Sequence, residues 1–255
     1  MSFVFLLGMA GSGKSTLTAT FGDWLERRGE SVARVNLDPG VIRLPYNPDW
    51  DIRKYVDLRK IMVEEGLGPN GGLIRAHELM MKYVDKISLS IKSLAFKASY
   101  ILVDTPGQME LFAFREIGSA LLARLSNYSS LGVFIVDATN INKASDAVMA
   151  LLLALAINFH LDIETIFIVN KIDASPNGKA VEYIETLLRN PRDLAKMIKE
   201  EGSGMLGEMA YRLVESLREF LPPTRVVAVS ATQGYNFYDL YSIIHDVFCG
   251  CGDLT

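Results

Sequence analysis

The chain contains little cysteine, little histidine and no excess of basic residues. Only two of its 255 residues are cysteines, Cys249 and Cys251, and only three are histidines, His77, His160 and His245. Cysteines this close rarely bridge without strain, which argues against a disulfide framework and favours a reducing, cytoplasmic location. Scattered histidines are more typical of local polar contacts than of a metal site. A net charge of −4 argues against direct nucleic-acid binding through a broad basic surface.

Long hydrophobic runs are also missing from the sequence. The longest late run, residues 147–159, is shorter than a membrane-spanning helix requires. No signal peptide is expected, because the apolar start lacks a basic flank and leads directly into a glycine-rich loop. No membrane partner is therefore expected. A hydrophobic content of 49% and a charged content of 22% are typical of a globular protein with a large core.

The glycine-rich segment of residues 8–15, GMAGSGKS, matches the phosphate-binding pattern GxxxxGK[ST]. A strand is predicted before it, over residues 3–7, and a helix after it, over 16–28. The loop N–H groups and the helix N-terminus would face phosphate. Lys14 would reach the β- and γ-phosphates, and the Ser15 hydroxyl would complete a Mg²⁺ shell. The predicted phosphate-loop residues are Gly11, Ser12, Gly13, Lys14, Ser15 and Thr16.

Two aspartates follow predicted strands at the sheet edge where α/β folds bind ligands. Asp38 opens a turn after the strand over 31–37, and it is a candidate for holding metal or the attacking water. Asp104 begins DTPGQ, which resembles the D-x-x-G element of GTPases, in which the aspartate holds Mg²⁺. The Gly107 N–H can then sense the γ-phosphate, and Gln108 can orient the attacking water.

Two further loops predict recognition of guanine. Asn170 begins NKID after a predicted strand, which matches the N-K-x-D pattern. The Asp173 carboxylate could accept hydrogen bonds from guanine N1–H and the exocyclic amine, a donor pair that adenine lacks. Asn170 would brace the loop, and the Lys171 stem would lie over the purine. The segment Ser230-Ala231-Thr232 resembles the loop whose backbone N–H contacts guanine O6.

The alternation of strands and helices predicts an α/β fold of the three-layer P-loop NTPase type, with a mostly parallel sheet flanked by helices. We expect one domain over residues 1–255, with helical insertions at about 48–90 and 176–220. The predicted strands are residues 3–7, 31–37, 100–103, 132–137, 165–169 and 225–229, and further helices are predicted at 143–159 and 237–247.

The two insertions are predicted in more detail from their punctuation. A helix is expected to start at Pro48 and to end at Gly66, and another is expected over 73–87. Between them, the five residues 68–72, GPNGG, are predicted to lie in neither helix nor strand. The second insertion is predicted to be helical, with interruptions at 202–204 and at Gly207. It could be a mobile cover or partner surface, although a plain solvated helical pair is favoured.

With this loop set, the chain resembles the GPN-loop GTPases, which belong to the class of signal-recognition-particle-like and nitrogenase-iron-protein-like NTPases. No threonine occurs over residues 41–100, so the switch threonine of Ras-like proteins has no counterpart and Asp38 is its expected substitute. The resemblance covers essentially the whole chain and depends on Gly68, Pro69 and Asn70 between the Asp38 turn and DTPGQME.

The resemblance implies a homodimer in which each GPN loop enters the partner's active site. Asn70 and the backbone around Pro69 would then stabilise the transferred phosphate in trans, while Asp38, Asp104 and Gln108 place Mg²⁺ and water. The implied reaction is Mg²⁺-dependent hydrolysis of GTP to GDP and phosphate, used as an assembly switch. A protein client such as RNA polymerase is implied by eukaryotic relatives, although the chain looks like an archaeal-type member.

Several alternatives stay open at this point. Arg43 could stabilise charge in cis instead of Asn70. A P-loop kinase would share the phosphate loop, but kinases of this type lack N-K-x-D and usually carry arginine-rich lids. A GTP-gated metallochaperone would need a metal site, for which Cys249 and Cys251 are the only suggestion. A scaffold that binds nucleotide without hydrolysing it is disfavoured by Asp104 and Gln108.

Overall fold

The computed structural model describes residues 2–175, 178–201, 204–217 and 226–250, and these form a parallel sheet covered by helices on both faces. The described strands are β1 (Ser2–Leu7), β2 (Val32–Asn36), β3 (Trp50–Asp51), β4 (Tyr100–Asp104), β5 (Ser129–Asp137), β6 (Thr165–Asn170) and β7 (Val227–Ala228). Their order across the sheet is β3-β2-β4-β1-β5-β6-β7, and every neighbouring pair is parallel. The predicted fold class is confirmed.

Helices cover the two faces of the sheet unequally. Among the described helices, only α1 (Lys14–Arg27) and α11 (Phe237–Gly250) pack in the core cluster on one face. The helices on the other face are α2 (Leu58–Glu64), α3 (Pro69–Lys82), α4 (Val84–Leu94), α5 (Met109–Ala113), α6 (Glu116–Arg124), α7 (Ala144–Leu161), α8 (Lys179–Arg189), α9 (Pro191–Glu200) and α10 (Gly204–Leu217).

The central strand β1 is apolar from Phe3 to Leu7. Each of its residues is buried, because helices cover both faces of a parallel sheet. Phe3 and Phe5 point into the larger core, whereas Val4 and Leu6 point into the smaller one. β1 is the fourth of the seven described strands in the sheet. The glycine-rich loop that follows it therefore lies at the carboxyl edge, in the middle of the sheet.

The segment after Asp38 differs from its prediction. The helix expected from Pro48 is wrong: a short strand, β3, pairs with β2 through Trp50 and Val35, and a 3-10 turn follows at Ile52–Lys54. α2 begins only after Asp57, whose carboxylate accepts from the N–H groups of the first turn. Pairing with β2 thus outweighs the local helical pattern, and the N-cap sets the true start.

The GPNGG segment is also not a plain loop. α3 begins at Pro69, where proline is well tolerated because the first helical N–H needs no partner. A Cβ on Gly72 would lie 2.6 Å from Met62 Cγ, so the glycine allows α2 and α3 to approach closely. The glycines that predicted a break therefore serve packing within a helix.

Other boundaries are corrected by the structure as well. The helix predicted over 73–87 is two helices, α3 and α4, which meet at Tyr83. Gly207 lies inside α10 and does not interrupt it. The predicted strand over 225–229 is only Val227–Ala228, and Arg225 lies outside the described residues, as do Gly202, Ser203 and Cys251. Cys249 is a free, exposed cysteine.

Helix α7 is longer than the apolar run seen in the sequence. It has 18 residues with a mean hydropathy of 1.7, so by length and composition alone it is sufficient to cross a membrane. Its face containing Ala147, Leu151 and Ile157 is buried in the larger core. Packing in the core accounts for this apolar face without a membrane.

Candidate nucleotide-binding site

The loop between β1 and α1 has the backbone of a phosphate cradle. Gly8, Gly11 and Gly13 adopt positive φ angles of 144°, 81° and 98°. A Cβ on Gly8 would lie 2.5 Å from the Ile135 carbonyl oxygen, and one on Gly13 would collide with Asn170 Nδ2. Glycine is therefore required at both positions. Gly11 is exposed, while Ser15 and Thr16 are half-buried in the first turn of α1.

Lys14 is a buried cation at the centre of this cradle. Its Nζ donates to the carbonyl oxygens of Gly8 at 2.7 Å and Met9 at 3.0 Å. Burial lowers the pKa of Lys14, and the nearby carboxylates of Asp104 and Asp38 act in the opposite direction. The buried Ser12 hydroxyl oxygen has no partner among the described residues. A bound phosphate would accept from the unpartnered Ser12 hydroxyl and would pair with the Lys14 ammonium.

Asp104 ends β4 beside Ser15 and is 1% exposed. Its Oδ2 accepts from the Tyr46 hydroxyl at 2.9 Å, whereas the buried Oδ1 has no partner in the described part of the chain. Burial raises the pKa of Asp104 to about 6, although the nearby hydroxyls of Ser15 and Tyr46 and the charge of Lys14 favour the carboxylate. An unsatisfied buried oxygen is costly. A cation or its water would remove this cost.

These donors fit Mg²⁺ bound jointly with a nucleotide. Within the described ranges, no group of three or more His, Cys, Asp or Glu side chains could hold a metal on its own. Mg²⁺ commonly uses one or two carboxylates together with substrate phosphates and waters. The Ser15 hydroxyl and the free Asp104 oxygen supply protein oxygens next to the phosphate cradle.

Asp38 joins two loops at the sheet edge. Its Oδ1 accepts from Gly40 N–H at 2.8 Å, and its Oδ2 accepts from Gly107 N–H at 3.3 Å. Asn36 fixes the turn, because its side chain bonds both the backbone N–H and the carbonyl of Asp38 and also reaches Asp51. The structure thus brings Asp38 to the glycine of DTPG. It does so through Asn36 and Asp51, which the sequence interpretation missed.

In the described part of the chain, Gln108 and the GPN residues take no part in the hydrogen bonds that involve the phosphate loop, Asp38 and Asp104. Gln108 is exposed just before α5. Gly68, Pro69 and Asn70 are exposed at the start of α3. Within the described ranges, no hydrogen bond links these three residues to the phosphate loop. The chain therefore does not bring Asn70 to its own phosphate loop by a direct bond.

Asn170 connects the phosphate loop to both candidate base-recognition loops. It is 1% exposed, and its Nδ2 donates to the Ser12 carbonyl at 2.9 Å. Its Oδ1 accepts from the Ala231 N–H at 3.0 Å. The Ala231 N–H, which was expected to meet guanine O6, is thus engaged by Asn170 here. The buried Asn170 amide thus connects the phosphate loop, the NKID loop and the loop over residues 230–232.

Lys171 and Asp173 follow Asn170 in the chain and are more exposed than its buried amide. Lys171 has a left-handed backbone with φ of 64°, and its Nζ donates to Asp137 Oδ2 at 2.6 Å. Burial raises the pKa of Asp137, but the bonds from Lys171 and Thr139 outweigh it and hold the pKa below its usual value. Asp173 is exposed, and the Thr232 hydroxyl contacts its Oδ2 at 3.4 Å.

Ser230 stabilises the loop that begins with Ser230-Ala231-Thr232. It is buried, and its hydroxyl oxygen accepts from the Gln233 N–H at 3.2 Å. The Gly234 N–H also donates to the Ser230 carbonyl at 2.8 Å. This tight turn presents the side chain of Thr232 towards Asp173. Asp173 therefore keeps an exposed carboxylate at the mouth of the site.

The parallel sheet and the phosphate cradle at its carboxyl edge define a P-loop nucleotide-binding protein. A family model described as "Conserved hypothetical ATP binding protein" matches residues 6–250. GPN-loop GTPase PAB0955 of Pyrococcus abyssi is 38% identical over 255 residues, which covers 99% of each chain. A solved structure titled "PAB0955 crystal structure: a GTPase in Apo form from Pyrococcus abyssi" aligns with a TM-score of 0.87 and 36% identity, over 97% of this chain and 98% of that chain.

Longer eukaryotic proteins are similar to this chain too. GPN-loop GTPase 1 of Dictyostelium discoideum is 28% identical over 94% of this chain but only 60% of its own length. These similarities extend along nearly the whole sequence. The chain belongs to the family of GPN-loop GTPases, and it is a GTPase.

Proposed function

We propose that this protein hydrolyses GTP to GDP and phosphate in a Mg²⁺-dependent reaction and acts as a homodimeric, nucleotide-controlled assembly switch. The observation that carries the proposal is the convergence at one sheet edge of three features. Lys14 lies in a phosphate cradle, Asp104 has a buried unsatisfied oxygen, and Asn170 joins the cradle to the NKID loop. Each feature serves a different part of the same nucleotide.

Guanine is favoured over adenine, although the matching family model is described as ATP binding. The exposed Asp173 carboxylate is an acceptor for two donors, which guanine supplies and adenine does not. Adenine would leave the carboxylate without its hydrogen bonds, and such a loss gives strong discrimination. The residues at the site therefore outweigh the general description of the family model.

Several residues would hold the phosphates and the metal. Lys14 neutralises charge on the β- and γ-phosphates, and the α1 N-terminus directs its N–H groups at them. Ser15 and Asp104 would hold Mg²⁺, with Asp38 as the third candidate. When bound, the metal would stabilise negative charge that develops on the transferred phosphoryl group.

Asp38 supports a switch, because it occupies the N–H that a γ-phosphate would use. Its carboxylate accepts from Gly107 N–H at 3.3 Å, a long and weak bond. A γ-phosphate at Gly107 would displace this carboxylate. Asp38 would then be free to orient the attacking water together with Gln108, which lies next to Gly107. Loss of the phosphate would restore the bond and bring the two loops together again.

The homodimer proposal depends on the GPN residues. Asn70 is exposed at the α3 N-terminus, and no hydrogen bond within the described chain holds Gly68, Pro69 or Asn70 against the phosphate loop. A residue in this position is available to a second copy. A polar donor supplied to the γ-phosphate by the partner would act as an arginine finger does elsewhere. A client such as RNA polymerase stays a prediction from the family resemblance.

Tyr46 supplies a hydroxyl beside Asp104 in the segment over residues 41–100, which contains no threonine. It donates to Asp104 Oδ2, which leaves Oδ1 without a partner in the described chain, so that Oδ1 could hold the metal. Arg53 holds the loop that carries Tyr46, by donating to the Val41 carbonyl at 3.1 Å. Burial beside Asp104 raises the pKa of Tyr46, so the phenol stays protonated and can donate. Tyr46 thus orients Asp104 in the way that outer-shell partners orient metal ligands.

We expect Tyr46→Phe to raise the Mg²⁺ concentration for half-maximal GTP hydrolysis by about tenfold, because outer-shell partners commonly contribute this much to metal affinity. Mn²⁺ titration of the GDP complex by electron paramagnetic resonance should show the same weakening. GDP affinity in EDTA should not change. Tyr238→Phe, at an exposed tyrosine on α11, is the matched control. An unaltered metal requirement would show that Tyr46 does not position Asp104.

The purified chain provides the test of the proposed function. Phosphate should be released from GTP in Mg²⁺ without any added acceptor, and release from ATP should be far slower. Light scattering should give about twice the 28.3 kDa chain mass with a GTP analogue bound. Phosphate transfer only in the presence of an acceptor would identify a kinase. Hydrolysis by a monomer at every concentration would rule out the dimeric mechanism.

A further inference from the structure

Asp137 lies at the nucleotide site but belongs to none of the four motif loops, which are GMAGSGKS, DTPGQ, NKID and Ser230-Ala231-Thr232. It ends β5, the neighbour of both β1 and β6 in the sheet. Its side chain is 9% exposed and forms an ion pair with Lys171 at 2.6 Å, whereas the Lys171 side chain is 35% exposed. The buried Asp137 carboxylate thus holds the ammonium group of Lys171, whose side chain is half-exposed.

The carboxylate is itself held in place by its own loop. Oδ1 accepts from the Thr139 N–H at 2.9 Å and from the Thr139 hydroxyl at 2.6 Å, which leaves Oδ2 for Lys171. With both oxygens bonded, the side chain has little freedom to rotate. The position of the Lys171 ammonium is therefore set by β5 and the turn that follows it, and not by the NKID loop.

Lys171 is fixed at its backbone as well. Its left-handed conformation, with φ of 64°, is unfavourable for an L-residue and must be maintained by its surroundings. The preceding residue, Asn170, is buried and bonded to Ser12 and Ala231. With both ends anchored, the alkyl stem of Lys171 becomes a fixed apolar surface at the open side of the site.

We propose that Asp137 is a specificity-determining positioning residue for guanine, and that it acts through Lys171. The purine would lie against the anchored stem, which fixes the plane of the base so that its N1–H and exocyclic amine meet Asp173. Without the ion pair the stem would move freely, and the base would reach Asp173 less often. This inference rests on the guanine site described under the proposed function.

The test compares nucleotide affinities in EDTA, so that metal binding does not contribute. We expect Asp137→Asn to weaken GDP binding by about tenfold, the size expected for loss of one charged hydrogen bond. Adenine has no donor pair for Asp173, so the orientation of its base should contribute little and ADP should keep its affinity. The GDP to ADP selectivity should therefore fall by the same factor. Asp162→Asn, at the exposed aspartate that follows α7 as its C-cap, is the matched control and should leave both affinities unchanged.

A double-mutant comparison shows whether the effect passes through Lys171. Lys171→Met keeps an apolar stem but loses the anchor, so it should lower GDP affinity by a similar factor. Adding Asp137→Asn to Lys171→Met should then change GDP affinity less than twofold, since interacting residues are not additive. Lys171→Met also tests the ion pair if Asp137→Asn does not fold. A full additional tenfold loss in the double variant would contradict the proposed route.

Asp173→Asn separates failure of this inference from failure of the guanine site. If Asp173→Asn weakens GDP binding and Asp137→Asn does not, the guanine site stands and the role of Asp137 is wrong. If Asp137→Asn weakens GDP and ADP equally, Asp137 supports the loop without contributing to base selectivity, and the proposal is overturned. If Asp173→Asn has no effect on GDP, the guanine site itself is wrong and the inference is lost with it.

Discussion

Single-turnover GTP hydrolysis is expected to fall by about 10²–10³-fold in an Asn70→Ala variant, while its affinity for GTP stays unchanged. The loss corresponds to removing one polar group that stabilises charge developing in the transition state. Asn70 is exposed at the start of α3, and no hydrogen bond within the described chain joins it to the phosphate loop. Ground-state binding should not depend on it. Rapid mixing with excess protein, followed by phosphate detection, measures the chemical step directly.

Arg43→Ala is the informative companion to this variant. Arg43 is exposed in the loop between β2 and β3, so it could supply a charge from within the same chain. A trans-acting Asn70 predicts that Arg43→Ala hydrolyses GTP at nearly the normal rate. The opposite pattern, with Arg43→Ala slow in the chemical step and Asn70→Ala normal, would assign charge stabilisation to Arg43 in cis.

The second large effect is expected at the base. Asp173→Asn should weaken GDP binding by about 10²-fold, because two hydrogen bonds to a carboxylate are replaced by one acceptor and a misplaced donor. Xanthine carries an oxygen where guanine carries the exocyclic amine, and the asparagine amide can donate to it. Affinity for XDP should therefore rise as affinity for GDP falls. Competition binding with GDP, XDP and ADP measures both changes.

The melting temperature of Asp173→Asn should match that of the parent chain, because Asp173 is exposed and its contact with Thr232 is long, at 3.4 Å. Stability loss would indicate a structural role for the carboxylate. Equal weakening of GDP, XDP and ADP would show that Asp173 does not read the base. Binding of ADP as tight as GDP by the parent chain would remove the basis for guanine specificity altogether.

The sheet and the phosphate loop could be predicted because their signals are local. The apolar run of β1 and the glycine pattern of residues 8–15 specify a strand, a cradle and a helix within some 25 residues. The D-x-x-G and N-K-x-D elements likewise follow their strands directly. Such short-range patterns survive tertiary packing, and the structure has strands where they predict them.

The two insertion errors have a different cause. β3 has only two residues, and it exists because Trp50 pairs with Val35 and the Asp49 carboxylate accepts from the Arg34 N–H at 2.8 Å. No local sequence pattern predicts a strand of two residues. The glycines of GPNGG suggested a break, but Gly72 packs in a helix against Met62. Contacts distant in sequence decided both outcomes.

The polar residues that support the site were missed for the same reason. Tyr46 and Asp104 are 58 residues apart, and Asp137 and Lys171 are 34 apart. A single tyrosine or aspartate outside a pattern carries no signal of its partner. Asp137 had one weak indication, since it is the last residue of the strand predicted over 132–137, which ends at the same edge of the sheet as the four loops. Its role became visible only when the parallel sheet placed β5 beside β6.

Mixing two inactive variants tests the trans-acting GPN loop most directly. Lys14→Ala should abolish hydrolysis in its own site while keeping Asn70, and Asn70→Ala keeps an intact phosphate loop. A mixed dimer would contain one complete site. After subunit exchange, equal amounts should recover roughly a quarter of the parent activity, since about half of the dimers are mixed and each has one working site. A mixture no more active than the sum of its components would contradict a site shared between two copies.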